Sequence, residues 1–184
     1  MSDRRAAARG DRNLKVGWRE GPGIVNLRGD PSDAAFTQGA ARALGLALPL
    51  QACTSVADEV LRVLWAGPDD WFVIAPRGRQ AAFAAALRAA LAGTHHAVTD
   101  VSSGYHVLQL GGAPARELLA QGCPLDLHPR AFRTGDCKGS HFFKAAVWLW
   151  QTDAAPSFEL LVRRSFAGYV ELMLGKAGRE WLAA

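Results

Sequence analysis

Residues 98–127 read VTDVSSGYHVLQLGGAPARELLAQGCPLDL, and this run decides the fold. Residues 105–110 are an apolar strand, and Ser103-Gly104 ahead of them supplies the small residues that a tight hairpin turn to the strand before would need. Pro114 fits the first turn of a short helix, where its missing N–H costs nothing, and Gly122 suits the left-handed conformation that ends one. Pro124 then blocks continuation. Strand, turn, strand, helix and stop follow each other without a reacting group among them.

Working outward, the same order recurs. Gly21-Pro22-Gly23 lies between two apolar runs and predicts a first hairpin that ends in a strand at 24–27. Asp30-Pro31 opens a helix, with Asp30 as its cap; Phe36, Ala40, Ala43 and Leu44 recur at helical spacing, and Gly45 closes it. Residues 60–65 and 71–75 form a hairpin through a turn that Pro68 and Asp69 favour. Phe83, Leu87 and Leu91 then place an apolar stripe on a helix over 80–91 that Gly93 stops. After residue 127 come strands at 142–150 and 158–162 and a closing helix over 166–182 with Ser165 as its cap. The strand over 142–150 is apolar on both faces, so both are covered: one by the domain's own helices, the other by loops, helices of the second half or a partner subunit.

Strand 24–27, helix, Leu48-Pro49, hairpin and helix are answered by strand 105–110, helix, Cys123-Pro124, hairpin and helix, with Gly29 and Gly112 in equivalent places. The expectation is an α+β fold: a duplicated βαββα unit whose strands share one mixed, mostly antiparallel sheet with helices packed on it. Residues 14–184 make this single domain from two similar halves, about 14–93 and 94–184, and residues 1–13 are expected to be a mobile arm.

Composition excludes several function classes. The net charge is +4, but Arg4, Arg5, Arg9 and Arg12 against Asp3 and Asp11 put +2 of it in the arm, and no basic stripe interleaved with aromatics remains to hold nucleic acid. No apolar run is long enough for a membrane span, and no secretory leader is visible, so a cytoplasmic protein is expected. Cys53, Cys123 and Cys137 are odd in number and lack paired spacing; they are read as thiols. Six tryptophans and many more arginines than lysines match the bias of protein interfaces, and the chain is expected to lean on a partner for stability. Trp148, Trp150, Arg163 and Arg164 are the candidate interface residues.

The search for chemistry yields no catalytic, cofactor-binding or metal-binding residue. Gly111-Gly112-Ala113-Pro114 lacks the third glycine of a dinucleotide loop and sets proline where a pyrophosphate needs backbone N–H groups. His95, His96, His106, His128 and His141 are scattered without zinc spacing. Asp69-Asp70 read as turn formers rather than an acid–base pair, because adjacent residues of a tight turn face different directions.

Four stretches together carry a resemblance. Thr99-Asp100-x-Ser102-x-Gly104 leads through the strand to Gly112-x-Pro114-Ala115-Arg116-x-Leu118-Leu119 and then to 122–132, GCPLDLHPRAF. With 67–71 (GPDDW), 29–49 closing on LALP, and 163–169 (RRSFAGY), the chain resembles the gamma subunit of heterotetrameric sarcosine oxidase over most of its length after Leu14. The resemblance implies a fold similar to the folate-binding domain of aminomethyltransferases. It also implies a non-catalytic structural subunit whose partners are the alpha, beta and delta subunits. That assembly oxidatively demethylates sarcosine with oxygen and tetrahydrofolate to glycine, hydrogen peroxide and 5,10-methylenetetrahydrofolate, and its FAD, FMN, NAD, zinc and tetrahydrofolate lie in other subunits. The alternative implied by the same fold is a stand-alone folate binder. In that reading Asp100 is a carboxylate for the pterin; the residues themselves favour a turn-side Asp that satisfies backbone N–H groups ahead of Ser102.

Overall fold

The computed structural model describes residues 14–182; the arm expected over 1–13 lies outside them. Among the described residues, ten strands form two five-stranded sheets. The first contains β1 (Lys15–Trp18), β7 (Tyr105–Gly111), β10 (Ser157–Arg163), β9 (Ala145–Asp153) and β8 (Cys137–Phe142), in that order. The second contains β6 (His96–Asp100), β2 (Gly23–Gly29), β5 (Asp70–Ala75), β4 (Arg62–Gly67) and β3 (Ser55–Ala57). Neighbouring strands are antiparallel throughout. The helices are α1 (Ala34–Leu44), α2 (Gln80–Ala90), α3 (Ala115–Ala120), α4 (Ala167–Ala177) and α5 (Arg179–Leu182).

The class is α+β with helices on antiparallel strands, but the strands do not share one sheet. They form two sheets packed face to face. Ile24, Leu64, Phe72 and Ile74 of the second sheet meet Val107, Cys137, Trp150 and Leu161 of the first in one apolar layer. On the outer face of the second sheet, Val25, Leu27, Val63, Trp71 and Val73 bury α1 and α2 through Phe36, Ala40, Ala84 and Leu87. On the outer face of the first, Leu108, Leu110, Val147, Leu149, Leu160 and Val162 bury α3 and α4 through Leu118, Leu119, Val170 and Leu174. Side chains alternate along a strand, so each central strand serves two layers, which is why β9 is apolar on both faces. Its second cover is the opposite sheet rather than a loop, a helix or a partner.

Four expected local structures differ. The run at 142–150 is a hairpin: β8 ends at Phe142, the chain turns through Phe143 at φ 50°, and β9 starts at Ala145. Asp30 does not cap α1; its carboxylate holds the Ser32 N–H at 2.8 Å, and Asp33 caps the helix by accepting from the Ala35 N–H at 2.8 Å. Ser165 sits inside a 3-10 turn over Arg164–Phe166, so α4 starts from Phe166 without a side-chain cap. Gly122 does not take the left-handed conformation either. A Cβ there would lie 2.5 Å from the Phe143 ring, so that glycine serves close approach.

Neither predicted hairpin around the first strand of a half forms. β1 pairs with β7 instead of β2, and β6 pairs with β2 instead of β7. Ser102–Gly104 is a 3-10 turn that carries the chain from one sheet to the other. With β6 matched to β1, the orders β6-β2-β5-β4-β3 and β1-β7-β10-β9-β8 correspond strand for strand, each half lending its first strand to the other's sheet.

Candidate functional site

The sequence stretches that stand out are held by hydrogen bonds within themselves, to neighbouring strands and, in one case, to one another. Arg116 of the helix run reaches the loop 122–132, its guanidinium donating to the carbonyls of Leu127 and Phe132. It also donates to Gln151 Oε1 at 2.9 Å and lies 4.9 Å from the centre of the Phe158 ring. Burial holds its pKa below the ordinary arginine value. A long loop without regular structure is thereby fixed onto the first sheet by one side chain with several matched donors.

In the GPDDW stretch, the carboxylates part company as adjacent turn residues should. Asp69 pairs with Arg28 at 2.6 Å, and Asp70 accepts from Asn26 Nδ2 at 2.5 Å. Burial pushes the Asp70 carboxyl above its usual range, against the lowering effect of Asn26 and Arg28. Trp71 has no exposed surface, and its Nε1–H donates to the Pro49 carbonyl at 2.9 Å, joining this turn to the LALP stretch.

Asp100 accepts from the Ser102 N–H at 2.9 Å and from Ser102 Oγ at 2.5 Å. Ser102 Oγ in turn accepts from the Ile24 N–H at 2.9 Å. The carboxylate is therefore engaged in the turn that ties β6 to β2, the geometry expected of a turn-side Asp.

The four candidate interface residues do not form one patch. Trp150 is fully buried between the sheets and presents no surface to a partner, which corrects its place among them. Its Nε1–H donates to Glu159 Oε2 at 3.1 Å. Trp148 is partly buried, edge-on to Phe72 with ring centres 5.0 Å apart. Arg163 and Arg164 are exposed where β10 ends, and the Arg163 guanidinium lies 5.4 Å from the Tyr105 ring centre.

Glu159 was not anticipated. Oε1 accepts from Gln109 Nε2 at 2.8 Å, and Arg19 Nη1 lies 3.9 Å away. Across the layer, burial lowers the Arg62 pKa while Glu159 opposes that shift. The signal was one carboxylate in the otherwise apolar run FELLV at 158–162. This group lies beside a cleft of about 570 Å³ lined by Lys15, Gly17, Gln109, Ser157 and Glu159, among others. A second cleft, about 550 Å³, collects Arg28, Asp69, His95 and His96 at the end of the second sheet.

Among the described residues no three of His, Cys, Asp and Glu come together as metal ligands. All three cysteines are free thiols, and burial, with the Cys53 thiol nearby, pushes Cys137 up to about 12. A thiol held that high is no nucleophile at neutral pH. Among the described residues no helix is long and apolar enough to cross a membrane.

Two layers of sheet between two layers of helix define a class already seen in aminomethyltransferases. The glycine cleavage system aminomethyltransferase T from Bartonella henselae superposes with a TM-score of 0.65 over 89% of this chain and 45% of its own, at 15% identity, so the likeness is one of fold. The chain belongs to the sarcosine oxidase gamma subunit family, whose model matches residues 28–180. It is 38% identical over 143 residues to the sarcosine oxidase subunit gamma of Corynebacterium sp. (strain P-1), covering 77% of this chain and 68% of that one. The heterotetrameric sarcosine oxidase from Corynebacterium sp. U-96, solved in complex with pyrrole 2-carboxylate, contains a chain that matches at TM-score 0.87 and 31% identity, over 95% of this chain and 88% of that one.

Proposed function

We propose that this chain is the gamma, structural subunit of a cytoplasmic heterotetrameric sarcosine oxidase, bound to alpha, beta and delta subunits. The observation that carries the reading is the match to a chain of a solved heterotetrameric sarcosine oxidase along nearly its whole length. The assembly oxidises the N-methyl group of sarcosine with oxygen, releasing glycine and hydrogen peroxide, and passes the one-carbon unit to tetrahydrofolate. FAD, FMN, NAD, zinc and the folate sit in the other subunits. The hydrogen bonds of Arg116, Asp100, Asp70 and Trp71 support a scaffold role, since each is made to the chain itself. Co-expression with the other three subunits, followed by size-exclusion chromatography, tests it. The chain is expected to elute with them in equal stoichiometry; elution as a free monomer, together with saturable binding of tetrahydrofolate, would transfer the assignment to a stand-alone folate binder.

A further inference from the structure

Two five-stranded sheets have four edges, and a bare edge is a template for another strand unless something blocks it. Three are engaged inside the chain at one or two points each. β3 and β8 are stitched to each other: the Ser55 N–H donates to the Gly135 carbonyl at 2.7 Å and the Cys137 N–H to the Cys53 carbonyl at 2.9 Å, around the pair Thr54–Asp136. On β6 the Arg88 guanidinium donates to the Val98 carbonyl at 2.8 Å. Among the described residues β1 has no such bond along its outer edge.

Its geometry shows which groups are left over. The Arg19 N–H donates to the Val107 carbonyl at 2.8 Å, continuing the register that sets Gly17 opposite Gln109 and Lys15 opposite Gly111. Hydrogen-bonding direction alternates along a strand, so Lys15, Gly17 and Arg19 address β7 while Val16 and Trp18 aim their N–H and C=O outward. Among the described residues none of those outward groups has a hydrogen-bond partner, whereas the indole of Trp18 is anchored, donating to Glu171 at 2.6 Å. The edge is thus held in place at Trp18 and, among the described residues, open to pairing. Beside it lies the 570 Å³ cleft, over which Gly17 leaves open space.

We propose that the outer edge of β1 accepts an extended strand of a neighbouring subunit, main chain to main chain, with an acidic side chain of that strand against Lys15. The proposal rests on the subunit reading above and adds the place and mode of contact. Charge selects the occupant. Lys15 is exposed and makes no ion pair among the described residues. A second copy of β1, paired antiparallel about Gly17, would set Lys15 opposite Arg19, cation to cation, which is destabilising on a sheet. A foreign strand with a carboxylate meets no such penalty, and its main-chain bonds use the groups that β1 leaves free.

Two measurements on the co-expressed assembly test this. Val16→Pro removes one outward N–H and leaves the bonds to β7 in place. With tagged chain and all other subunits present, it is expected to reduce their co-purification about tenfold, the effect of losing an interface hydrogen bond and crowding its neighbour. Hydrogen exchange on the wild-type chain needs no variant to fold: the amides of Val16 and Trp18 should exchange fast in the isolated chain and slowly in the assembly. Unprotected amides in an intact assembly, or full co-purification of Val16→Pro, would overturn the proposal while leaving the subunit reading standing. Protection in the isolated chain that is lost on deleting residues 1–13 would overturn it in favour of the chain's own arm. If the wild-type chain joins no subunit at all, the subunit reading fails first and the proposal with it.

Discussion

Trp71 serves the fold twice, filling the layer under α1 and closing a loop. Its ring packs 5.7 Å from that of Phe36, and its N–H satisfies the Pro49 carbonyl. Trp71→Ala is expected to cost about 3–5 kcal/mol in denaturant unfolding, the usual price of emptying such a site. Cys137 gives a pH signature. Its thiol is raised from 9.0 to about 12 by burial, so below pH 9 it is protonated in both folded and unfolded chains. Between those values the unfolded chain ionises and the folded one does not, and stability falls as pH rises. Cys137→Ala should flatten that alkaline decline in urea melts compared across the window, with the neutral-pH stability changed only by the lost volume.

At the scale of elements, β10 shows how a charge settles the packing of a sheet. Glu159 accepts from β7 through Gln109 and from β9 through Trp150, so one carboxylate spans three strands. Glu159→Ala leaves the buried Trp150 N–H unmatched, while the exposed Gln109 can turn to water, and is expected to cost about 1–3 kcal/mol, with Glu159→Gln, which keeps one acceptor, in between. Equilibrium unfolding of the two variants checks the order. The elements themselves were legible: Phe83 and Leu87 on α2, the apolar run of β5 and the GPDD turn all announce their structure in local pattern. The pairing of β1 and β6 was not. Gly21-Pro22-Gly23 and Ser103-Gly104 have turn chemistry, and turn chemistry says that a chain bends without saying which sheet it enters. Glu159 stayed hidden for the same reason, since its partners lie on strands 50 and 9 residues away in sequence. The stretches that carry the family resemblance were visible as motifs, yet their role was not: nothing local to Arg116 names the loop that it holds.

For the whole molecule, six tryptophans suggested an apolar surplus awaiting a partner, and much of it is spent inside. Trp71 and Trp150 are wholly buried, and among the described residues the large apolar side chains left in the open are Leu50, Val60, Phe166 and Leu172. Contact with other subunits is therefore expected to add stability without being needed for folding: melting the chain alone and within the assembly should show a cooperative transition in both and a higher temperature in the second. Binding at a hundred times the dissociation constant contributes about 2.7 kcal/mol. On the proposed reading, the chain purified alone should show no absorbance above the aromatic band, and the proposed assembly should show a flavin band. The exchange of first strands also sets a timetable for synthesis. All strands of the second sheet, β2 to β6, have left the ribosome once Asp100 has, whereas the first sheet waits for β10 and the residue Arg163. β1 is made before any of them and finds β7 only after about ninety residues, Trp18 meeting Leu108, so the first of the described strands to emerge is among the last to be paired.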